Sequence, residues 1–343
     1  MKVGYIAPTS IAAVNGGVRT QALNTIEHVK QLDVETVLLS SWSKIEEEKL
    51  DLIHIFAATI ENVGISDSLK SLGIPSVLSP VFYSNHKASF IKTALAFEKV
   101  GRLFGSGIRS DFSIKNQLCH QADLLLPNTT EEAKIIEDSF GIPPAKIHVI
   151  PNGVEERFSS ADKHLFVDKF GIQDFVLFVG QAGAPRKNII KLLEAAPQFD
   201  VPVVIIGTLY DDSYGDKCRV LAENAGNVHF IDSLEHNSDL LASAYAACQV
   251  FALPSFYETP GIAALEAGLA GAKIVITKNG GTKEYFQNYA EFVDPDSQQS
   301  VLEGIQSALK KEKSDKLKQH ILKNFTWQKV ARKTTELYKS LLS

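Results

Sequence analysis

The sequence predicts an α/β protein of two domains, each with a parallel sheet covered by helices on both faces. The chain has 343 residues, more than one hydrophobic core usually holds. Short β-branched runs alternate with helical segments, which is typical of parallel sheets. The alternation begins again after about residue 160, so we expect a second sheet of the same kind.

The first half carries five strand-like runs with helical patterns between them, notably 20–31 and 131–140. The strand-like runs are 3–7, 35–39, 52–56, 76–79 and 124–126. The stretch 147–154 is interpreted as a further strand, Ile147 to Ile150, which is stopped by Pro151, Asn152 and Gly153.

The second half repeats this pattern, with helices expected at 188–196, 237–246 and 262–270. Its strand-like runs are 175–179, 203–206, 228–231, 250–253, 274–277 and 291–293. We predict one domain from 1–158 with about 327–343, and another from 159–326. The tail from 305 to 343 reads as helical and basic, with ten Lys and Arg against three acids.

Composition excludes several classes of protein. The net charge of −5 argues against a nucleic-acid partner. Cys119, Cys218 and Cys248 have neither metal-ligand nor disulfide spacing, which favours a reducing cytosol and no bound metal. We also expect neither a secretory signal nor a membrane span, because no apolar run is long enough. The expected location is the cytoplasm.

The stretch 254–268 carries the strongest chemical signal. It follows an apolar strand and opens a helix, where free backbone N–H groups suit an anion such as a diphosphate. Pro260 and Gly261 are predicted to start that helix, with Ile262 offering a second N–H. Glu258 and Glu266 flank the helix start and are candidates to accept hydrogen bonds from hydroxyls of a sugar and a ribose.

Three further strand-to-helix loops are candidates for phosphate binding. Arg186 and Lys187 stand where a departing diphosphate would need positive charge. The adjacent glycines Gly16 and Gly17, followed by Arg19, allow close approach of a ligand, but they do not form the dinucleotide G-x-G-x-x-G pattern. A similar loop contains two more adjacent glycines, Gly280 and Gly281.

Together these motifs resemble family 4 of retaining glycosyltransferases, which have the GT-B fold. The resemblance rests on the E-x7-E pair Glu258 and Glu266, the loop Gly280-Gly281, and the stretch Ile150 to Val154. It implies two Rossmann-like domains, acceptor-binding then donor-binding, with parallel sheets facing across a cleft. The last helix would cross back to the first domain.

The resemblance also implies roles for single residues. Glu266 would hold the ribose, Glu258 would contact the donor sugar, and Lys187 would neutralise the diphosphate. Gly261 and Ile262 would offer backbone donors, while Gly16 and Gly17 would shape the floor near acceptor and phosphates. The implied reaction retains anomeric configuration and transfers a hexose from a nucleotide-diphospho-sugar, without metal or cofactor.

Two positions depart from the family pattern. Gln181 stands where members usually carry Arg, and His86 is the nearest histidine to a position where many carry one. An alternative therefore stays open: a degenerate sugar-nucleotide-binding subunit that supports another glycosyltransferase.

The expected acceptor is a glycan or lipid-linked glycan of cell-envelope polysaccharide synthesis. Residues 85–116 carry six cations against two acids, interspersed with Phe90, Phe97, Phe104 and Phe112. Either this segment is a packed helical lid, or it contacts an anionic membrane from the cytoplasmic side.

Overall fold

The computed structural model describes residues 1–13, 16–103 and 109–343, without the side chains of 102 and 103. The chain forms two compact units. The first contains residues 1–153 and 327–343, and the second contains residues 154–326. The chain thus leaves the first unit between residues 153 and 154 rather than between 158 and 159, and returns between 326 and 327.

The first unit is built on a parallel sheet of strand order β2-β1-β3-β4-β5. Its strands are β1 (Lys2–Ile6), β2 (Glu35–Leu38), β3 (Leu52–Phe56), β4 (Ser76–Ser79) and β5 (Leu124–Leu125). The helices of this unit that precede residue 154 are α1 (Gly17–Lys30), α2 (Ile45–Glu48), α3 (Val63–Leu72), α4 (Ala88–Leu103), α5 (Asp111–Gln121) and α6 (Thr130–Phe140).

The second unit is built on a parallel sheet of strand order β11-β10-β9-β6-β7-β8. Its strands are β6 (Val176–Val179), β7 (Val203–Ile206), β8 (Val228–Ile231), β9 (Val250–Leu253), β10 (Lys273–Thr277) and β11 (Ala290–Val293). Its helices are α7 (His164–Phe170), α8 (Ile189–Ala195), α9 (Ser213–Ala225), α10 (Asp239–Ala247), α11 (Ile262–Leu269), α12 (Thr282–Phe286), α13 (Gln298–Lys310) and α14 (Lys316–Asn324).

The final helix, α15 (Trp327–Leu342), belongs to the first unit and packs against α1. It is fixed to the sheet by a buried polar contact, in which His54 Nδ1 of β3 lies 2.6 Å from the Tyr338 hydroxyl. The other ring nitrogen of His54 lies 2.9 Å from Ser79 Oγ. Burial lowers the pKa of His54 to about 3, so the ring is neutral at physiological pH.

The strand predicted at 147–150, before Pro151, does not form. Only single bridges form there, from Ile147 to Leu125 and from Val154 to Thr326. The neighbouring strand β5 has only two residues, and Pro151 has no N–H to continue a ladder. The segment stays alongside β5 through two backbone bonds, from His148 N–H to Leu125 and from Ile150 N–H to Pro127.

Candidate active site

Glu258 lies in the loop between β9 and α11, at the carboxyl end of the second unit's sheet. β9 is buried along its whole length, as its apolar run predicts for a strand covered on both faces. Parallel α/β sheets bind ligands at this edge. Ser255, which is fully buried, and Glu258, which is 7% exposed, therefore stand where the fold favours a site.

Three side chains converge on one oxygen of Glu258. Lys187 Nζ donates to Oε1 at 2.6 Å, and the Ser255 hydroxyl donates to the same atom at 2.7 Å. Arg186 Nη1 lies 3.6 Å from it. Within residues 1–13, 16–103 and 109–343 no hydrogen bond reaches Glu258 Oε2. This leaves one carboxylate oxygen as an acceptor for a ligand hydroxyl.

Glu258 is held in its ionised form. Burial alone would raise the pKa of Glu258, but the charges of Lys187 and Arg186 and the bonds from Lys187 and Ser255 outweigh it. The net result is a pKa below the ordinary value of a glutamate. The group is therefore a hydrogen-bond acceptor at neutral pH and not a proton donor.

Backbone contacts join three loops around Glu258. The Phe256 N–H donates to the Arg186 carbonyl at 3.0 Å, and the Glu258 N–H donates to the Asn279 carbonyl at 3.2 Å. Gly280 has φ of +85°, and a Cβ added there would lie 2.2 Å from the Glu258 carbonyl oxygen. Only glycine fits this contact, so the predicted Gly280-Gly281 loop is packed against the Glu258 loop.

The start of α11 differs from its prediction in one respect. The helix begins at Ile262, and Gly261 precedes it with φ of +83°, a backbone angle that favours glycine. Pro260 lies outside the helix, after a cis peptide bond from Thr259, so it does not form the first turn. The first helix-type bond runs from the Ala264 N–H to the Gly261 carbonyl. The amides of Ile262 and Ala263 therefore precede that bond, as expected at a helix start.

Glu266, the second member of the pair, has partners on both oxygens. His236 Nε2 donates to Oε1 at 2.6 Å, and the Tyr245 hydroxyl donates to Oε2 at 2.9 Å. Glu266 is 3% exposed, and Tyr245 is fully buried. The pKa of Tyr245 is raised well above its usual value, mainly by burial and then by the charge of Glu266. The bond to Glu266 raises the pKa of His236 against the opposing effect of burial. Sequence reasoning did not find His236 or Tyr245.

The other predicted positions are distributed as follows. Gln181 is half-buried in the loop after β6, with Gly180 at φ of +151° before it. Arg186 and Lys187 lie in a 3-10 turn, Pro185–Lys187, ahead of α8 rather than in it. Arg186 is 40% exposed and lies over the Tyr257 ring.

In the first unit, Gly16 caps α1 and Gly17 is its exposed first residue. Among the described residues, a Cβ at Gly17 would meet nothing within 4 Å. Arg19 Nη1 donates to the Ile11 carbonyl at 2.6 Å. His86 is exposed and stacks on Phe90 at 4.3 Å between ring centres.

Two family models match successive parts of the chain. Residues 34–158 match the model described as Glycosyltransferase Family 4, and residues 162–324 match the model described as Glycosyl transferases group 1. The two matches fall almost wholly within the two structural units. Together with the fold, these two matches make the chain similar to the group 1 glycosyltransferases, which have the GT-B fold.

Curated relatives agree with this class. The chain is 28% identical over 220 residues to an uncharacterized glycosyltransferase of Methanocaldococcus jannaschii, covering 58% of this chain and 55% of that protein. It is 29% identical over 183 residues to the D-inositol 3-phosphate glycosyltransferase of Stackebrandtia nassauensis, covering 49% of this chain and 41% of the relative. The chain thus spans about half the length of the curated relatives it matches.

Solved structures share the whole fold at low identity. A sucrose-phosphate synthase from Thermosynechococcus elongatus superposes with a TM-score of 0.76 at 16% identity, covering 99% of this chain and 98% of that one. Anabaena HepE, solved in complex with UDP-glucose, superposes with a TM-score of 0.74 at 16% identity, covering 99% and 100%.

The described residues contain neither a cluster of metal-binding side chains nor a helix that could span a membrane. In the part of the chain that the structure describes, no three His, Cys, Asp or Glu side chains gather into a potential metal site. Across the same residues, every helix is too short or too polar to cross a bilayer. The expectation that the protein works without metal or cofactor stays a prediction.

Proposed function

We propose that this protein is a retaining glycosyltransferase, which moves a hexose from a nucleotide-diphospho-sugar to a hydroxyl acceptor. The observation that carries the proposal is the buried, ionised Glu258, held by Lys187 and Ser255 ahead of the start of α11. A buried carboxylate beside cations and a helix N-terminus is suited to a ligand with both hydroxyls and phosphates.

Positive charge in this site is proposed to stabilise the leaving group. Arg186 and Lys187 bring two cations to one carboxylate, so the cluster keeps a net charge of +1. Departure of a nucleoside diphosphate builds negative charge on its phosphate oxygens. Fixed cations and the dipole of α11 lower the energy of that state without having to reorient.

Glu258 is proposed to hold the transferred sugar. Its Oε1 is occupied by protein partners, whereas Oε2 is left to accept from a sugar hydroxyl. An ionised carboxylate near the ring also stabilises the positive charge of an oxocarbenium-like state. Retention of configuration would follow if the acceptor hydroxyl attacks the sugar on the face that the diphosphate leaves. Charge stabilisation would then take the place of a protein nucleophile.

The relatives support a sugar-nucleotide donor and an envelope acceptor. HepE was solved with UDP-glucose, which makes UDP the first nucleotide to test. One similar structure, with a TM-score of 0.71 at 15% identity, is a lipopolysaccharide outer core galactosyltransferase. We propose a glycan or lipid-linked glycan as the acceptor, and cell-envelope polysaccharide synthesis as the setting.

A membrane-facing role for α4 is part of this proposal. Phe90, Phe97 and Val100 lie on one side of the helix and are 52%, 73% and 51% exposed. The exposed Lys92 and Lys99 lie at the opposite edge of the exposed face, about 180–200° around the helix axis from Phe90. A helix with aromatic side chains at one edge of its exposed face and lysines at the other is suited to bind an anionic lipid surface, here from the cytoplasmic side. Phe104 and the side chain of Arg102 lie outside the described residues.

The competing proposal is a degenerate subunit that binds the sugar nucleotide without using it. Gln181, which brings no charge, favours this alternative. The ion pairs of Arg186 and Lys187 with Glu258 favour the enzyme, because they keep two cations in the site.

Turnover separates the two proposals. We expect the purified chain to release nucleoside diphosphate slowly from one of UDP-glucose, GDP-mannose, ADP-glucose or dTDP-glucose. Glu258→Gln should lower that rate on the order of 10²-fold or more, since it removes a charge aimed at the reacting centre. Glu194→Gln is the matched control, because it loses an ion pair to Lys191 at the far end of α8. Binding without release in the wild type would favour the subunit.

A further inference from the structure

His236 and Glu266 form a contact that the proposed donor site does not use. His236 lies in the loop between β8 and α10, and its side chain is 41% exposed. Beneath it, the Glu266 carboxylate is only 3% exposed. Their bond of 2.6 Å joins a solvent-facing ring to a buried carboxylate. The ring is therefore the accessible member of the pair.

The two partners of Glu266 differ in their freedom to move. Tyr245 lies on α10, is 1% exposed, and packs edge-on against Phe158 and Phe251. His236 lies in a loop, where its one polar side-chain partner is Glu266 within the described residues. Displacing the histidine disturbs one loop, whereas displacing the tyrosine would open the core.

We propose that His236 is a positioning residue that covers Glu266 and has to leave it before a ribose can bind there. The inference rests on the proposed function, together with the role that the family resemblance implies for Glu266, which is to hold the ribose hydroxyls of the donor. Those hydroxyls and the imidazole N–H are donors that compete for one carboxylate oxygen. His236 would thus make nucleotide binding weaker than the open carboxylate allows.

Protonation of His236 sets the strength of this competition. The groups that face the ring are Glu266 on α11, Tyr245 on α10, and Glu155 and Arg157 in the turn before α7. Glu266 and Glu155 raise the pKa of His236, while burial and Arg157 lower it, and the net pKa is raised. Below that pKa the contact is an ion pair, and above it a neutral hydrogen bond. Nucleotide affinity should therefore rise with pH through the pKa of His236.

The test is calorimetric titration of UDP between pH about 5.5 and about 8.5, the range in which histidines usually titrate. GDP and ADP are titrated in the same way if UDP does not bind. For the wild type we expect Kd to fall as the pH rises from about 6.5, the ordinary pKa of a histidine, to the raised pKa of the paired His236, and to level off on either side. His236→Gln keeps a neutral donor and should lose this dependence. His236→Ala should bind more tightly than wild type at the acid end.

Two controls isolate the effect. The nucleotide itself ionises in this pH range and changes every Kd in the same way. At each pH, the Kd of a variant is therefore divided by the Kd of wild type, which removes this common effect. Tyr245→Phe removes the other hydrogen bond to Glu266 and should keep the pH slope of wild type. Melting temperatures at each pH confirm that the variants are folded.

Parallel pH profiles for wild type and His236→Gln would overturn the role of His236 and leave the proposed function intact. If no nucleotide binds to wild type but one binds to His236→Ala, the covering role is confirmed in its strongest form. If none binds to either protein, the proposed donor site fails, and the role of His236 fails with it.

Discussion

Glu258 shows how a charged residue is kept inside a folded domain. Moving a carboxylate out of water is costly unless charges and donors replace the solvent. Here Lys187, Ser255 and Arg186 replace it at one oxygen. The second oxygen keeps its capacity to accept a hydrogen bond, which is what the proposed contact with a sugar hydroxyl would use. The contacts that keep Glu258 ionised inside the protein therefore also prepare it for the proposed contact with the donor sugar.

Gly280 is expected to be the glycine on which the site's geometry depends most. Gly280→Ala should lower the free energy of unfolding by more than about 2 kcal/mol, because it adds αL strain and a 2.2 Å clash with the Glu258 carbonyl. Gly271→Ala is the matched control. It has φ of +95° and open space at the Cβ, so it should cost only about 1 kcal/mol. Urea unfolding measures both, and equal losses would contradict the account.

Residue patterns pointed to both carboxylates of the candidate site, but not to the two side chains that hold Glu266. Glu258, Gly261 and the cations were visible because strand, loop and helix follow one another directly in the sequence. His236 and Tyr245 were not, since they reach Glu266 from 30 and 21 residues away. Their contact depends on how α10 and the loop before it pack on α11. No short motif encodes that packing.

At the scale of elements, buried parallel strands were the most predictable feature. β3, β4, β7, β8 and β9 have the predicted bounds. β7 and β9 are uninterrupted apolar runs, whereas β3, β4 and β8 also contain histidine or serine, and β8 is the one of the five that is not buried. Element ends and unpaired segments were less predictable. Residues 147–154 have strand-like composition, but the two-residue β5 offers too short a ladder. Pro260 is a residue type that is common at the start of a helix, but here it lies one residue before Gly261, the N-cap of α11.

The helix α4 gives a prediction at this scale. The double variant Phe90→Ser, Phe97→Ser should reduce binding to vesicles of phosphatidylglycerol and phosphatidylcholine by at least about tenfold at low salt, since it removes the apolar anchors. Leu165→Ser, Val220→Ser is the control, with two apolar residues of α7 and α9 that are 48% and 55% exposed. Vesicle co-sedimentation is the measurement. A wild type that ignores anionic vesicles would contradict the proposed membrane contact.

At the scale of the whole molecule, the chain repeats one architecture twice. Each unit is a parallel sheet with its own hydrophobic core, and the last helix returns to the first unit. Alternating strand and helix patterns, restarting after residue 160, were enough to predict this division. Substrate identity was not predictable, because the fold accommodates many donors and acceptors. It depends on the loops at the ends of the strands.

The measurement that tests the central claim most directly is calorimetric titration of nucleoside diphosphates into wild type, Lys187→Met and Lys191→Met. We expect one of UDP, GDP, ADP or dTDP to bind wild type and Lys191→Met alike, because Lys191 pairs with Glu194 and not with Glu258. Lys187→Met should bind it at least about tenfold more weakly, through loss of a charge-assisted contact to phosphate. Equal binding by Lys187→Met and Lys191→Met would contradict the claim that this cluster is the diphosphate site.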